Sequence, residues 1–261
     1  MYAWRARIGL VKPTHRGKSF APWYTTAPEG VEIVPTFIGF RSGTRKGFEG
    51  GTDRAVELAR QLREVGCEAV VVSGSPPFLL EPPAFEQEWR AKLEEELGIH
   101  VLTPVEPHAL AMRAVGAKRV ALATYYTADL NNALVASFAA FGVDGIPLDG
   151  YQKRPEGSNE DLYSTPLMTL DNASYLDVYN HVRRSVRALD APVDAVYING
   201  GGWDAGRAVE HLEADLGIPV VWAIAADIWS VYQFLGIKQS VTGYGALLSD
   251  SPPSPERILL G

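Results

Sequence analysis

Short apolar, β-branched runs alternate with amphipathic helical stretches along the chain, and this alternation constrains the fold more than any other feature. Eight runs have the composition of buried strands: RARIGLV, VEIVPTFIGF, EAVVVSG, HVLTP, RVALAT, GIPLDG, DAVYING and PVVWA. Strand followed by helix, repeated, predicts an α/β fold with parallel sheets and right-handed crossovers. Ligands of such sheets bind at the carboxyl ends of the strands, so the residues that follow each strand are the candidates for a site.

The length and composition allow two lobes. The 261 residues can form one large core or two modest ones, because single cores stop growing at about 250 residues. Hydrophobic residues make up 46% and charged residues 21%, as in ordinary globular proteins.

The charge and the apolar runs predict which partners are absent. The net charge of -7 argues against a nucleic-acid partner, because phosphate binding requires a concentrated basic face. No apolar run approaches the roughly 20 residues of a membrane helix, and the start, MYAWRARIGLVKP, has the pattern of a strand. We therefore expect a cytoplasmic protein with no membrane partner. The single cysteine, Cys67, excludes an internal disulfide and a multi-cysteine metal cluster.

The residues that follow the strands are small, hydroxyl-bearing or basic. They form five segments, 12–16, 39–42, 73–77, 124–127 and 199–203. Two of the strand ends, VVVSGSPP and VYINGGGW, run from a buried strand into glycine and then toward a helix, which predicts an internal repeat. The alternative is that such turns recur in any α/β fold.

Five segments together resemble the aspartate/glutamate racemase superfamily, in the branch that contains arylmalonate decarboxylase and maleate cis-trans isomerase. They are IGLVKP, GCEAVVVSGSP, GAKRVALATYYTADLN, DAVYINGGGWDAGRAVEHLEADLGIPVV and GYGALL. The resemblance implies two pseudo-symmetric Rossmann-like lobes, each a mainly parallel sheet flanked by helices, with the active site in the cleft between them. Residues 1–113 and 220–261 are expected to form the first lobe and residues 114–219 the second.

The resemblance also implies that the usual catalytic thiols are absent. Typical members carry a cysteine after one strand of each lobe, and the decarboxylase branch keeps only the second. The matching positions here are Gly74 and Gly200, so racemisation by two thiols is excluded. Cys67 precedes the strand EAVVVSG, at the end away from the expected site, which favours a structural role.

Oxyanion contacts follow from the match with the decarboxylase. They are Ser75, Tyr126 and the backbone of Gly201, where preorganised donors stabilise an enediolate-like charge. Pro76 departs from the family pattern, since proline supplies neither a hydroxyl nor an N–H.

Lys12, His15 and Tyr126 are the candidate catalytic residues. Lysine beside a cleft is a proton donor, or a base if desolvation lowers its pKa, and histidine titrates near neutrality. Arginine side chains match a carboxylate, although such loop charges are often merely solvated. The residues expected to contact substrate are Thr14, Arg16, Phe40, Arg41, Gly74, Ser75, Pro76, Tyr125, Asn199, Gly200, Gly201 and Trp203.

No metal or cofactor is predicted. The other histidines, His100, His108, His181 and His211, lack metal-ligand spacing, and we expect them to be surface or capped residues. NGGGWDAG is not a dinucleotide fingerprint, and no GK[ST] loop occurs.

The leading hypothesis is a cofactor-independent lyase, similar to a decarboxylase, that acts on a small carboxylate through an enolate-like intermediate. The alternatives are an isomerase or racemase with acid and base groups other than cysteine, a hydrolase that activates water, and a non-catalytic carboxylate-binding protein. Residues 151–174 form a long polar connection that is either a lid, a surface excursion or an oligomer contact. Homo-oligomer formation is left open.

Overall fold

The computed structural model describes residues 3–151, 161–164 and 172–249. All eight predicted strands are present: β1 Ala6–Lys12, β2 Val31–Phe37, β3 Ala69–Val72, β4 His100–Leu102, β5 Arg119–Ala123, β6 Asp144–Pro147, β7 Ala195–Ile198 and β8 Val220–Trp222. Most end before the predicted run does, because the polar and glycine residues after them leave the sheet and form loops.

The strands form two four-stranded sheets of the same topology, with the orders β2-β1-β3-β4 and β6-β5-β7-β8. Every pairing between these strands is parallel. Val11 pairs with Val72 in the first sheet, and Ala123 pairs with Ile198 in the second. The predicted α/β fold with two similar lobes is therefore confirmed.

Helices flank both sheets, so the central strands are buried on both faces and consist of apolar residues. All four residues of β3 and of β7 are buried. The helices of the described residues are α1 Ala21–Thr26, α2 Arg45–Phe48, α3 Gly51–Glu64, α4 Pro76–Leu79, α5 Phe85–Leu97, α6 Glu106–Ala114, α7 Ala128–Ala139, α8 Tyr175–Arg187, α9 Val209–Leu216 and α10 Ala223–Phe234. None of these helices is long and apolar enough to cross a membrane.

The last helix of each lobe packs on the other lobe. Helix α6 follows the first sheet but contacts β8, and α10 follows the second sheet but contacts β3 and β4. The two helices also pack against each other. Strand β8 is hydrogen-bonded to β7, so the lobe boundary predicted at residue 220 lies three residues before the end of the second sheet. We assign the return to the first lobe to α10.

Candidate active site

A cavity of about 60 Å³ lies between the carboxyl ends of the two sheets, at the position that the sequence predicts for the site. Most of the predicted site residues line it, and they come from both lobes. They are Lys12, Thr14, Arg16, Phe40, Gly74, Ser75, Pro76, Tyr125, Tyr126, Asn199, Gly200 and Gly201. Pro76 is the first residue of α4, where its missing N–H leaves no helical bond unmade.

Three predicted residues do not line the cavity. His15 is exposed and stacks on Phe37, with the ring centroids 4.5 Å apart. Arg41 is also exposed. Trp203 is fully buried behind the cavity wall, where its ring packs against Tyr125. We therefore leave these three residues out of the candidate site.

Lys12 ends β1 with its ammonium group buried at the cavity. The side chain is 2% exposed, and Nζ donates a hydrogen bond to Ser73 Oγ at 3.1 Å. The Ser73 hydroxyl in turn donates to Asp227 Oδ2 at 3.1 Å. Burial lowers the pKa of Lys12 to about 8, although the negative charge of Asp227 opposes this effect. The ammonium therefore loses its proton far more readily than that of a surface lysine.

His108 and Tyr197 extend this chain of hydrogen bonds. His108 Nε2 lies 3.0 Å from Asp227 Oδ1, and Tyr197 Oη lies 2.7 Å from His108 Nδ1. His108 is only 3% exposed, so the expectation of a surface or capped residue was wrong. It was also wrong for His181, which is buried against Trp203 and Tyr151.

Asp227 and Ser73 were not among the predicted site residues. Asp227 is the only charged residue in α10, AIAADIWSVYQF, and is 3% exposed. A lone carboxylate in an otherwise apolar helix is rarely buried without a partner, so this pattern was the available signal.

Tyr126 and Asn199 form the polar wall contributed by the second lobe. The Tyr126 hydroxyl donates to Asn199 Oδ1 at 3.1 Å. Asn199 Nδ2 is buried and has no hydrogen-bond partner among the described residues. Burial raises the pKa of Tyr126 well above its ordinary value, so the phenol keeps its proton at neutral pH. A carboxylate oxygen is the kind of acceptor that this wall lacks.

The two glycines of the predicted repeat occupy equivalent places. Gly74 has φ +106° and Gly200 has φ +86°, a region that favours glycine. A Cβ on Gly74 would lie 3.0 Å from Pro13 Cβ, and one on Gly200 would lie 2.8 Å from Tyr125 Cζ and overlap its hydroxyl. Pro13 and Tyr125 thus fill the spaces that side chains at 74 and 200 would enter.

Cys67 lies outside the site, as predicted. Its side chain is fully buried in a separate hydrophobic cluster with Leu62 and Leu97, just before β3 begins. Burial raises the pKa of the thiol to about 11, which keeps the group protonated and unreactive.

Four residues of the long polar connection lie over the cavity. Leu162 donates its backbone N–H to Gly43 O of the first lobe, and Ser164 donates to Tyr125 O of the second, both at 2.8 Å. Tyr163 between them lines the cavity. Residues 152–160 and 165–171 of the connection, for which a lid, a surface excursion and an oligomer contact were the alternatives, are outside the described residues. Among the described residues, no group of three or more His, Cys, Asp or Glu side chains is arranged to hold a metal.

The chain is similar to known proteins over nearly its whole length. A family model described as arylmalonate decarboxylase matches residues 8–248. The chain is 25% identical over 252 residues to arylmalonate decarboxylase of Bordetella bronchiseptica, covering 94% of this chain and 97% of that one. The structure of maleate isomerase from Pseudomonas putida S16 is similar with a TM-score of 0.79 and 18% identity, covering 94% of this chain and 98% of that one.

A second similar structure contains a cysteine bound to an intermediate. It is a variant of the Nocardia farcinica maleate cis-trans isomerase with a covalently bound succinylcysteine intermediate, with a TM-score of 0.75 and 22% identity, covering 94% of this chain and 99% of that one. In the present chain the single cysteine is buried away from the cavity.

Proposed function

We propose, because the chain belongs to the arylmalonate decarboxylase family of enzymes, that it removes carbon dioxide from a small substituted malonate with Lys12 as the proton donor. The observation that carries this proposal is the buried ammonium of Lys12 at a cavity that contains no thiol. Among the residues that the structure describes, no other lysine lines this cavity. The reaction is proposed to need no cofactor.

The polar wall supports binding of the carboxylate that remains on the product. Asn199 Nδ2 is the donor of this wall that has no partner among the described residues. The Tyr126 hydroxyl donates to Asn199 Oδ1, and the Ser75 hydroxyl of the first lobe donates to Pro104 O at 3.4 Å, so each would turn from its present acceptor to reach a carboxylate. As the bond to the departing carboxyl carbon breaks, its electron pair passes into an enediolate. Donors that contact the remaining carboxylate then stabilise the charge that develops on its oxygens. Lys12 Nζ donates a proton to the α-carbon and regains one from solvent.

The opposite part of the cavity is apolar. Phe40, Phe48, Pro77 and Ile224 line it, and the Phe40 and Phe48 rings pack edge to face at 4.8 Å. A carboxylate held against these side chains is poorly hydrated, and its loss as neutral carbon dioxide relieves that cost. This wall also suits the apolar substituent of a substituted malonate.

The pH dependence of turnover has a definite sign. Lys12 donates only as the ammonium, and burial lowers its pKa to about 8. Turnover by a lysine acid is therefore expected to fall as the pH rises through about 8. If Lys12 acted as a base, turnover would instead rise as the pH rises through about 8.

Tyr126→Phe tests the proposed oxyanion contact. Loss of the hydroxyl that holds the Asn199 amide, and that would turn to the carboxylate, is expected to lower kcat about 100-fold, because donors at this place act mainly on the transition state. The measurement is kcat and KM in steady state, with Tyr24→Phe, an exposed tyrosine on α1, as the matched control. Unchanged kcat in Tyr126→Phe would remove the phenol from the proposed site.

One observation favours a second reaction, isomerisation. The Tyr125 phenol fills the space beside Gly200 in the second lobe, while Lys12 belongs to the first. Two proton-carrying groups on different lobes are what inversion or cis-trans isomerisation requires. Burial raises the pKa of Tyr125 to about 12, so this group is suited to donating a proton rather than accepting one.

The experiment is ¹H and ¹³C NMR of the purified protein in deuterium oxide with α-aryl and α-alkyl malonates, maleate, hydroxy acids and cyclic amides. Decarboxylation predicts carbon dioxide and a monocarboxylate with one deuteron on the α-carbon, in the presence or absence of a chelator. Isomerised or deuterated substrate without fragmentation would replace the lyase by the isomerase. Ring opening of the amides would indicate the hydrolase, and binding without any reaction would indicate a binding protein.

A further inference from the structure

We propose that Asp227 is a positioning residue for Lys12, acting through the Ser73 hydroxyl and held in place by His108 and Tyr197. The inference rests on the proposed function, because it assigns Asp227 to the proton donor of that reaction. Asp227 does not supply the proton; it fixes the place and the charge of the group that does.

The four hydrogen bonds join elements from both lobes. Lys12 ends β1, Ser73 follows β3, His108 lies on α6 and Asp227 lies on α10, while Tyr197 lies on β7 of the second sheet. The Lys12–Ser73 and Ser73–Asp227 bonds are each 3.1 Å, the His108–Asp227 bond is 3.0 Å, and the Tyr197–His108 bond is 2.7 Å. This series of hydrogen bonds therefore passes through the contact between α6 and α10.

The direction of the bonds follows from the donors available. A lysine ammonium can only donate, so Ser73 Oγ accepts from Lys12 and gives its own proton to Asp227 Oδ2. On the other side, His108 Nε2–H donates to the carboxylate oxygen Asp227 Oδ1, and His108 Nδ1 is hydrogen-bonded to the Tyr197 hydroxyl. The two carboxylate oxygens of Asp227 thus accept from separate donors, Ser73 and His108.

The carboxylate compensates the buried ammonium electrostatically. Asp227 is the acidic side chain that raises the pKa of Lys12 against the effect of burial. In the part of the chain that the structure describes, the other ionisable side chains at the same cavity are Arg16, His108, Tyr125, Tyr126 and Tyr163. Among these, Arg16 is the only one with a permanent charge, and it has the same sign as Lys12.

A purely structural role fits this arrangement less well. A buried ion pair is commonly no more stabilising than apolar residues of the same volume, and here the pair is bridged by a serine rather than in direct contact. The bridge instead holds Lys12 Nζ at the cavity while leaving its other two protons for the substrate side.

The test measures Lys12 directly, without a substrate. The ¹³Cε resonance of Lys12 in protein with labelled lysine, assigned by its absence from Lys12→Met, is titrated in wild type and in Asp227→Asn. Loss of the negative charge is expected to lower the Lys12 pKa by about one unit or more. Glu86→Gln is the matched control, because Glu86 is also a buried carboxylate, 6% exposed, but accepts from Val105 and Glu106 backbone N–H groups instead.

Ser73→Ala gives a second, milder variant that keeps the charge and removes the bridge. It is expected to lower kcat about 10-fold with little change in KM, and to move the Lys12 pKa less than Asp227→Asn does. An unchanged Lys12 pKa in Asp227→Asn, or an unchanged kcat in Ser73→Ala, would overturn the inference. The titration needs no turnover. If Asp227→Asn lowered the Lys12 pKa as expected but the wild-type protein decarboxylated no substrate, the proposed function would be overturned and not this inference.

Discussion

Replacing Lys12 by methionine is expected to lower kcat at least about 100-fold, the contribution typical of a positioned general acid. Methionine preserves most of the volume of the side chain and removes its only ionisable group. The measurement is the steady-state rate of decarboxylation, monitored by NMR at pH 7, where most of the wild-type protein has Lys12 in its protonated form. Substrate affinity should change much less, because the polar wall on the second lobe is untouched.

Two further variants separate catalysis from folding. Lys12→Arg keeps a positive charge opposite Asp227, but a guanidinium does not release a proton near neutral pH, so its kcat should fall as well. Lys118→Met removes an exposed lysine just before β5 and should keep wild-type turnover. A Lys12→Met protein that turns over at the wild-type rate would eliminate Lys12 as the donor.

Gly200→Ala is expected to destabilise the fold by about 2 kcal/mol or more. The left-handed backbone costs a residue with a Cβ about 1 kcal/mol, and forcing a methyl group into packed space costs about as much again or more. The added Cβ would meet the ring and hydroxyl of Tyr125, which is 6% exposed and has little room to move. Displacement of Tyr125 should also lower kcat, because this ring forms part of the cavity.

The matched control is Gly217→Ala. Gly217 also has a left-handed backbone, with φ +69°, but a Cβ there would meet nothing within 4 Å. It carries the same kind of backbone strain without the collision, so the difference between the two variants in urea unfolding isolates the contact with Tyr125. Equal losses of stability would mean that Tyr125 moves aside at no cost. Gly200→Cys should suffer as Gly200→Ala does, so a thiol cannot simply be added at this position.

The local pattern was sufficient for the fold. Alternation of apolar runs and amphipathic stretches predicted all eight strands, since burial on both faces requires apolar residues throughout a strand. The short likeness between VVVSGSPP and VYINGGGW predicted a repeat, and the equivalent registers of Val11 with Val72 and Ala123 with Ile198 agree with it. The order and spacing of the strand ends were also enough to identify the family.

Local pattern did not decide which way loop side chains point. Lys12 is the last residue of β1, where the pairing of the strand fixes its direction, and it is buried. His15, three positions later, belongs to a loop that has no such periodicity, and it faces solvent. The two residues were equivalent candidates in the sequence, and only the structure separates them.

By itself the sequence determined the strands and the short repeat, because each depends on residues close together in the chain. The cleft between two lobes and the absence of a thiol at the site were implied by the resemblance to the family. Only the tertiary structure decided which groups surround Lys12. Asp227 is 154 residues from Ser73 and 119 from His108, and no periodicity relates them. They meet because α6 and α10 each pack across the lobe boundary, an arrangement set by the burial of whole helices.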